Sequence, residues 1–369
     1  MNAIVLGQGN PYLKNPYLSK LARVLEDGGI GYEFWVWSRD GGDTALPRVR
    51  VLLRFGSWGG GAVNALGYAL WVGLLTLRIL LRPRAGTFFC SRLDAALPCA
   101  LVSLLRRCDY VFLDRDKLSK SHPWPAAAKR VIEWVEGFVG RRALLHVLPG
   151  ASRESAGDGA GNVRIVRNTP HSAAIALARR AAAANAPRTR LRVLISGLIS
   201  PERGARMMRA AVERLTGGDE VEFIAAGRLL GADAQALAAR LGPGYRGIVG
   251  NEDALALLLG ADLVLAFYDP ALEINRLAEP NKWFDCAALQ VPFVTNQGLQ
   301  TSDPFERAGA CFVCPYDDAD ALVALLRRLA AERGPLERRR EGLRALSYEP
   351  WDAAMARIVD ECAALRRAA

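Results

Sequence analysis

Lysine almost disappears from this 369-residue chain after position 129. Of 48 basic residues only six are lysine, at 14, 20, 117, 120, 129 and 282, which leaves 48 − 6 = 42 arginines and makes Lys282 a compositional outlier. Histidine is scarcer still, with three residues at 122, 146 and 171. No basic run carries interleaved aromatics and no nucleic-acid-binding module is visible, so the net charge of +10 does not read as a nucleic-acid footprint. No repeat of 20–50 residues appears, which argues against solenoids and propellers. The seven cysteines form an odd set, mostly inside apolar stretches, and no signal-peptide pattern precedes them. A reducing, cytoplasmic setting is therefore expected. Cys311-Phe-Val-Cys314 has the spacing of half a metal knuckle, but it lacks a second Cys pair or His pair and reads as buried thiols.

What is present is a folded composition, 51% hydrophobic and 23% charged, long enough for two or three domains. The chain opens with an apolar run ending in Gly7 and Gly9, then a helical pattern from Tyr17 to Asp27. Strands are expected at Tyr32–Trp37, Gly86–Cys90, Tyr110–Leu113 and Leu144–Leu148. The alternation restarts after residue 190 with strands at Leu191–Ser196, Val221–Ala225, Gly247–Val249, Leu263–Phe267, Phe293–Thr295 and Cys311–Cys314. Strands alternating with helices imply parallel sheets, here an α/β protein of two Rossmann-like domains facing a central cleft. The expected division is an N-terminal domain over 1–168, a linker over 169–190, a C-terminal domain over 191–347, and a helix over 348–369 that crosses back to the first domain.

Residues 62–81 are nearly continuously apolar, with Arg78 the only charge. Their length permits a membrane span. Their place inside a sheet-forming unit favours a buried helix or one lying at a membrane interface, with Arg48, Arg50, Arg54, Arg82 and Arg84 suited to acidic headgroups and Trp58 and Trp71 to the interface itself.

The most specific stretch runs from Glu279 to Thr295, where Pro280-Asn281 opens a helix carrying Lys282 and Asp285. A helix N-terminus supplies free backbone N–H groups for phosphate, and Lys282 adds a point charge. Asp285 suits ribose hydroxyls, while an ordinary capped surface helix with an ion pair is the plain alternative. Ser196–Gly204 adds a glycine turn after a strand, with Arg203 as a second diphosphate cation. In the first domain the densest polar patch, Asp114 to His122, directly follows a strand. An acceptor hydroxyl must lose a proton during transfer, and Asp114, then Asp116, then His122 are the candidate bases. A solvated loop with local ion pairs is the alternative there.

Together these segments resemble the GT-B glycosyltransferases, in particular the family 4-like, nucleotide-sugar-dependent group. The resemblance spans nearly the whole chain, and its most specific part is the Pro-Asn-Lys helix leading to Val291-Pro292. It implies Lys282 at the donor phosphate or sugar and Asp285 at the ribose. It further implies Gly197 and Arg203 at the diphosphate, with Gly227, Arg228, Val249 and Gly250 near the base. Gly9 would approach the donor, and Lys14, Asn15 and Tyr17 a phosphorylated acceptor. The chain departs from the pattern at Asp285 and Gln290, where Glu and Gly are usual, at Leu277 where a carboxylate is usual, and at Leu198 where a cation is usual.

The expected function is transfer of a sugar from a nucleotide diphosphate sugar to a hydroxyl acceptor, lipid-linked or small, in polysaccharide or glycolipid assembly. No metal and no cofactor beyond the donor itself is expected, and peripheral contact with the cytoplasmic face of an anionic membrane is. A nucleotide-sugar 2-epimerase and a catalytically silent GT-B scaffold are the competing readings.

Overall fold

The structure, a computed structural model, describes residues 2–9, 11, 16–39, 46–56, 62–83, 86–155, 161–182, 189–218 and 220–368. The chain divides into two compact units, Met1–Arg167 with Trp351–Ala369, and Asn168–Pro350.

The first unit is built on β1 (Asn2–Gln8), β2 (Gly31–Ser38), β3 (Val49–Arg54), β4 (Thr87–Ser91), β5 (Tyr110–Leu113), β6 (Leu145–Leu148) and β7 (Val163–Ile165). They form one sheet in the order β3-β2-β1-β4-β5-β6-β7, every pair parallel. All residues of β4 and β5 are buried, as a parallel sheet covered on both faces requires. In register, Val5 lies between Phe34 and Phe89, and this face packs on the helices Pro16–Asp27 and Trp351–Ala368. The opposite face, with Leu6, Trp35, Cys90 and Phe112, packs under the helices Ala62–Leu80, Leu93–Val102 and Ala126–Arg142.

The last helix is tied in by side chains of both kinds. Trp351 is fully buried, with its ring edge-on to Tyr17 at 5.0 Å and Lys20 Nζ 4.8 Å above it. Further along, Arg164 Nε donates to both carboxylate oxygens of Glu361 at 3.1 and 3.0 Å, and Arg366 Nε donates to Asp109 at 2.9 Å.

The second unit contains β8 (Leu191–Ile199), β9 (Val221–Leu229), β10 (Leu263–Leu265), β11 (Phe293–Asn296) and β12 (Cys311–Cys314), in the order β12-β11-β10-β8-β9 and again all parallel. Helices cover both of its faces, and Cys311 and Cys314 are buried free thiols. Among the described residues no three His, Cys, Asp or Glu side chains come together as a metal set.

Several elements differ from expectation. β3 and β7 were not foreseen, because β3 (Val-Arg-Val-Leu-Leu-Arg) is an edge strand with half-exposed residues and β7 is three residues long. The alanine- and arginine-rich helix expected within the connection over 169–190 is present as Ser172–Ala182, but its Ala174 and Ala178 are buried in the second unit's core. Its small residues let it seat closely. Gly247–Val249 is a loop and not a strand; Tyr245, just before it, makes only an isolated bridge to Ala225.

The helix Ala62–Leu80 has two apolar faces. Trp71, Leu75 and Ile79 are fully buried in the core, so Trp71 packs against Trp37 and does not sit at an interface. Gly67 permits this close seating, since a Cβ there would lie 2.6 Å from the Trp37 ring. On the other face Val63, Leu66, Leu70, Leu74, Leu77 and Leu81 are exposed, Leu66 and Leu77 by 53% each. By length and composition Val63–Leu80 is able to cross a membrane. Doing so would strip Trp71, Leu75 and Ile79 from the sheet. Trp58 and Arg84 lie outside the described residues.

Because Trp351 fills the core between the last helix and Tyr17, Trp351→Ala is expected to cost about 3–5 kcal/mol. Urea unfolding of the full chain measures this, and a loss below about 1 kcal/mol would mean that the last helix contributes little to the first unit.

Candidate functional site

In the second unit the chain steps from β8 out to β9 on one side and returns to β10 on the other. The point where strand order reverses, at the carboxyl ends of β8 and β10, is where open α/β sheets bind ligands. Gly197, near the end of β8, has φ +84° and pairs in register with Gly227. A Cβ on Gly227 would fall 1.9 Å from the Gly197 carbonyl oxygen, so only glycine fits there. The glycine turn expected here is instead a continuation of β8, which stays paired with β9 through Ile199. A Cβ on Gly197 would lie 3.2 Å from Lys282 Cε and 3.8 Å from Nζ, which places the lysine's amine over the bare backbone near this strand end.

Lys282 stands in the first turn of the helix Asn281–Leu289. Its amine is drawn down from 10.5 to about 8, first by burial and then by the Arg203 guanidinium, against the opposing pull of Asp285. Arg203 itself is fixed from two sides. Its Nη1 donates to Asn275 Oδ1 at 2.7 Å, and its guanidinium lies 4.3 Å over the Tyr268 ring. Asn275 is buried and donates in turn to the Asp269 carbonyl at 3.1 Å. Gly204, at φ +74°, then lets the chain pass Phe267 and enter the helix Ala205–Leu215. Two cations and the opening of a nine-residue helix thus meet at one turn, a suitable cradle for a diphosphate.

Other expected donor residues stand around this turn. The Tyr245 hydroxyl donates to the Gly227 carbonyl at 2.7 Å, and Gly227 N donates to the Gly247 carbonyl at 2.7 Å, which tethers the loop leading to Val249 and Gly250. Arg228, Gly250 and Asn281 are exposed, while Val249, Glu279 and Asp285 are half-buried. Asn168 Nδ2 donates to the Glu279 carbonyl at 2.7 Å, holding the approach to the helix. Asn275, Tyr268 and Tyr245 were not singled out from the sequence. Their roles depend on contacts that no local motif announces.

In the first unit the order reverses between β1 and β4. At that carboxyl edge Gln8 Nε2 donates to Asp94 Oδ2 at 2.6 Å, and Arg92 Nε stands 4.0 Å from Asp94 Oδ1. Arg92 takes the left-handed φ of +81°, unusual for a side chain of its size. Burial holds the Asp94 carboxyl above the usual range, against Arg92, Gln8 and Arg39. Arg39 lies over Trp37 at 4.0 Å and over Tyr68 at 4.7 Å. Arg115, whose guanidinium burial pushes down, lies 4.7 Å over the buried Tyr17 ring. Gly9, with φ +73°, donates its N–H to the Trp37 carbonyl at 2.9 Å.

Asp114, expected to face ligand as the base, is instead sealed beneath this edge. Its side chain is 3% exposed, with Oδ2 3.2 Å from His146 Nε2, and the imidazole stacks on Phe112 at 4.8 Å. It belongs to a buried polar cluster: Lys117 Nζ donates to Ser155 Oγ at 3.0 Å, and Ser119 donates through N and Oγ to Glu136 at 3.1 and 2.7 Å. Asp116 is exposed, and so is His122, edge-on to Trp124 at 5.5 Å. Lys14 and Asn15 lie outside the described residues. Gln8, Arg39, Arg92, Asp94 and Arg115 were missed because they are brought together from four separate segments.

By sequence the chain matches no protein-family profile and no curated protein. By structure it is similar to sucrose-phosphate synthase from Thermosynechococcus elongatus, with a TM-score of 0.67 and 15% identity over 100% of both chains. It is also similar to HepE of Anabaena in complex with UDP, with a TM-score of 0.65 and 15% identity over 99% of this chain and 100% of that one. A putative UDP-N-acetylglucosamine 2-epimerase from Listeria monocytogenes matches with a TM-score of 0.60 and 12% identity over 96% of this chain and 94% of that one. Two parallel sheets with alternating helices in two units, aligned over nearly their full length with such neighbours, give this chain the GT-B fold.

Proposed function

We propose that this protein is a glycosyltransferase that binds a UDP-type nucleotide sugar on its second unit and transfers the sugar to a hydroxyl acceptor. The observation that carries this reading is the meeting of Lys282, Arg203 and the bare Gly197 backbone near the end of β8, at the strand-order reversal. The bond from the sugar's anomeric carbon to the diphosphate breaks and a bond to the acceptor oxygen forms. Lys282 and Arg203 offset the charge on the departing diphosphate, Asp285 takes the ribose, and the loop from Gly227 and Arg228 to Val249 and Gly250 borders the base.

The acceptor's proton goes to Asp94. Among the carboxylates at this edge, Asp94 lies at the strand-order reversal, fixed by Gln8 and held above its usual range. Asp114 is assigned to the buried cluster with His146.

A lipid-linked acceptor on the cytoplasmic face of an anionic membrane fits the exposed leucine face of Ala62–Leu80. Leu104, Leu105 and Trp134, exposed by 56%, 75% and 65%, belong to segments following or forming the neighbouring helices on that side of the sheet. Arginines border this apolar surface, as an interfacial helix beside acidic lipids requires. Seven free thiols agree with a reducing compartment.

The epimerase is the second reading, favoured by the Listeria likeness. Conversion of a UDP-sugar to its 2-epimer without acceptor would establish it; sugar transfer that requires an added acceptor supports the transferase.

UDP should raise the unfolding temperature by mass action, and Lys282→Ala should weaken UDP binding about tenfold to a hundredfold. Since burial and Arg203 draw the Lys282 amine down to about 8, and it must be protonated to hold the diphosphate, affinity should be greatest near pH 7, where the terminal phosphate is also largely ionised. Above about pH 8 it should decline, by up to about tenfold per unit. Calorimetric titration across this range checks the slope, and Lys282→Arg should flatten it.

Asp94→Asn is expected to keep UDP binding and lower turnover by about a hundredfold or more, whereas Asp114→Asn should mainly lower the unfolding temperature. The reverse pattern would return the base to Asp114.

Replacing Leu70, Leu74 and Leu77 together by glutamine should abolish flotation with vesicles containing phosphatidylglycerol and leave UDP affinity unchanged. Undiminished flotation would remove this face from the membrane contact.

A further inference from the structure

The other edge of the first unit's sheet, where its strands begin, carries two adjoining concavities remote from the carboxyl-edge chemistry. One is an apolar groove of about 380 Å³ lined by Trp35, Leu74, Leu77 and Leu81, with Arg78 and Arg82 at its border. Both guanidiniums lie over the Trp35 ring, at 5.6 and 5.2 Å. The second is a cavity of about 230 Å³ whose lining includes Arg82, Arg106, Arg107, Asp109 and Arg366. The two share Arg82 and Pro83, so an apolar trough runs directly into an arginine-lined hollow.

The charges in and around the hollow do not balance. Arg82 pairs with Glu33 at 2.8 Å, and Arg107 and Arg366 share Asp109 at 3.0 and 2.9 Å. Arg106 is bonded to the Ile79 carbonyl, and its Nε meets no acceptor among the described residues. Among the described residues four guanidiniums therefore face two carboxylates, which leaves a surplus of two positive charges in a concave site. That is the complement of a phosphate oxyanion.

We infer that this site binds one anionic phospholipid, its phosphate among Arg82, Arg106 and Arg366 and one acyl chain along the Trp35–Leu77 groove. Charge and shape both select this occupant. A free phosphate would use the hollow and leave the trough empty, and a neutral lipid would use the trough and leave the surplus charge unanswered. The exposed leucines of Ala62–Leu80 continue from the trough along the same helix, so a lipid held here would sit where that face meets a bilayer. The inference rests on the membrane reading above for its setting, and it adds a discrete site with headgroup selectivity.

The test uses soluble short-chain lipids below their micellar concentration, so that it does not depend on bilayer docking. Dihexanoylphosphatidylglycerol is titrated calorimetrically into the full chain, beside dihexanoylphosphatidylcholine, glycerol 3-phosphate and inorganic phosphate. The anionic lipid should bind at least about tenfold more tightly than any of the other three. Arg106→Gln should weaken it about fivefold, and Arg366→Gln likewise, for one cation each near a lipid phosphate. Leu77→Gln should weaken the lipid and leave inorganic phosphate unchanged. Arg107→Gln, at the more exposed rim, serves as the variant should Arg106→Gln fail to reach the parent unfolding temperature.

Equal affinity for inorganic phosphate and phosphatidylglycerol, equal affinity for the two lipids, or indifference to the arginine substitutions would each overturn the site. Flotation with phosphatidylglycerol vesicles separates the two ideas. Short-chain lipid binding without flotation would keep the site and remove the membrane reading; flotation without short-chain binding would do the opposite.

Discussion

Both sheets are wholly parallel, and a parallel sheet must be covered on both faces. That requirement governs where this protein is able to place polar chemistry. Strands such as Tyr110–Leu113, buried along their whole length, offer no side chain to a ligand from the middle of the sheet. Functional groups are confined to the edges, in the turns where strands end and helices begin. At the carboxyl edges the helix openings face these turns, and the order of strands reverses once in each sheet, which opens a gap between neighbouring turns. Gly197 and Arg203 follow from this in the second unit, and Gln8 and Asp94 in the first.

A cation at such an edge has to be held without being neutralised. In the second unit Arg203 has no carboxylate partner among the described residues: it is held by the Asn275 amide oxygen and the Tyr268 ring. Lys282 loses water to the surrounding packing and feels Arg203 nearby, so its proton is loosely held until an anion arrives. A diphosphate would relieve both effects at once. Under the proposed donor binding, this arrangement would exchange a less stable empty state for stronger binding, the trade expected where a site is prepared for charge. The backbone cooperates, since Gly197 and Gly227 remove the two side chains that would occupy the same space.

How much of this was legible in the sequence depended on whether the signal was local. Short apolar runs stood out as strands, and the segments Tyr110–Leu113, buried throughout, and Cys311–Cys314, buried except at Val313, were readable to the residue. Lys282 was legible as a lone lysine at a helix opening. The edge strand β3, with arginines at both ends of its central Val-Leu-Leu, gave no such run. Ser172–Ala182 looked like a connection because alanine and arginine are found in both surface and tightly packed helices, and only neighbouring elements decide between them. The surroundings of the candidate carboxylates were illegible for a related reason. Asp114 is buried against His146, 32 positions away, and Asp94 accepts a hydrogen bond from Gln8, 86 positions away. Pairings across parallel strands leave no periodicity to read.

The helix Ala62–Leu80 shows the same covering rule meeting a second demand. One flank supplies Trp71, Leu75 and Ile79 to the core, and for that alone the outer flank would be polar. It is instead leucine and valine from Val63 to Leu81. Leaving so much apolar surface in water has no folding benefit and carries a solubility cost. The cost is avoided if the surface is covered. Arginine enters at the C-terminal end of the helix as Arg78 and Arg82, where a positive side chain also suits the helix dipole. Folding therefore accounts for the inner face and for the position of these two charges. It does not account for the outer face, or for the excess of guanidinium over carboxylate charge at the strand beginnings. Both features are what the proposed ligand, apolar along its length and anionic at one end, would answer.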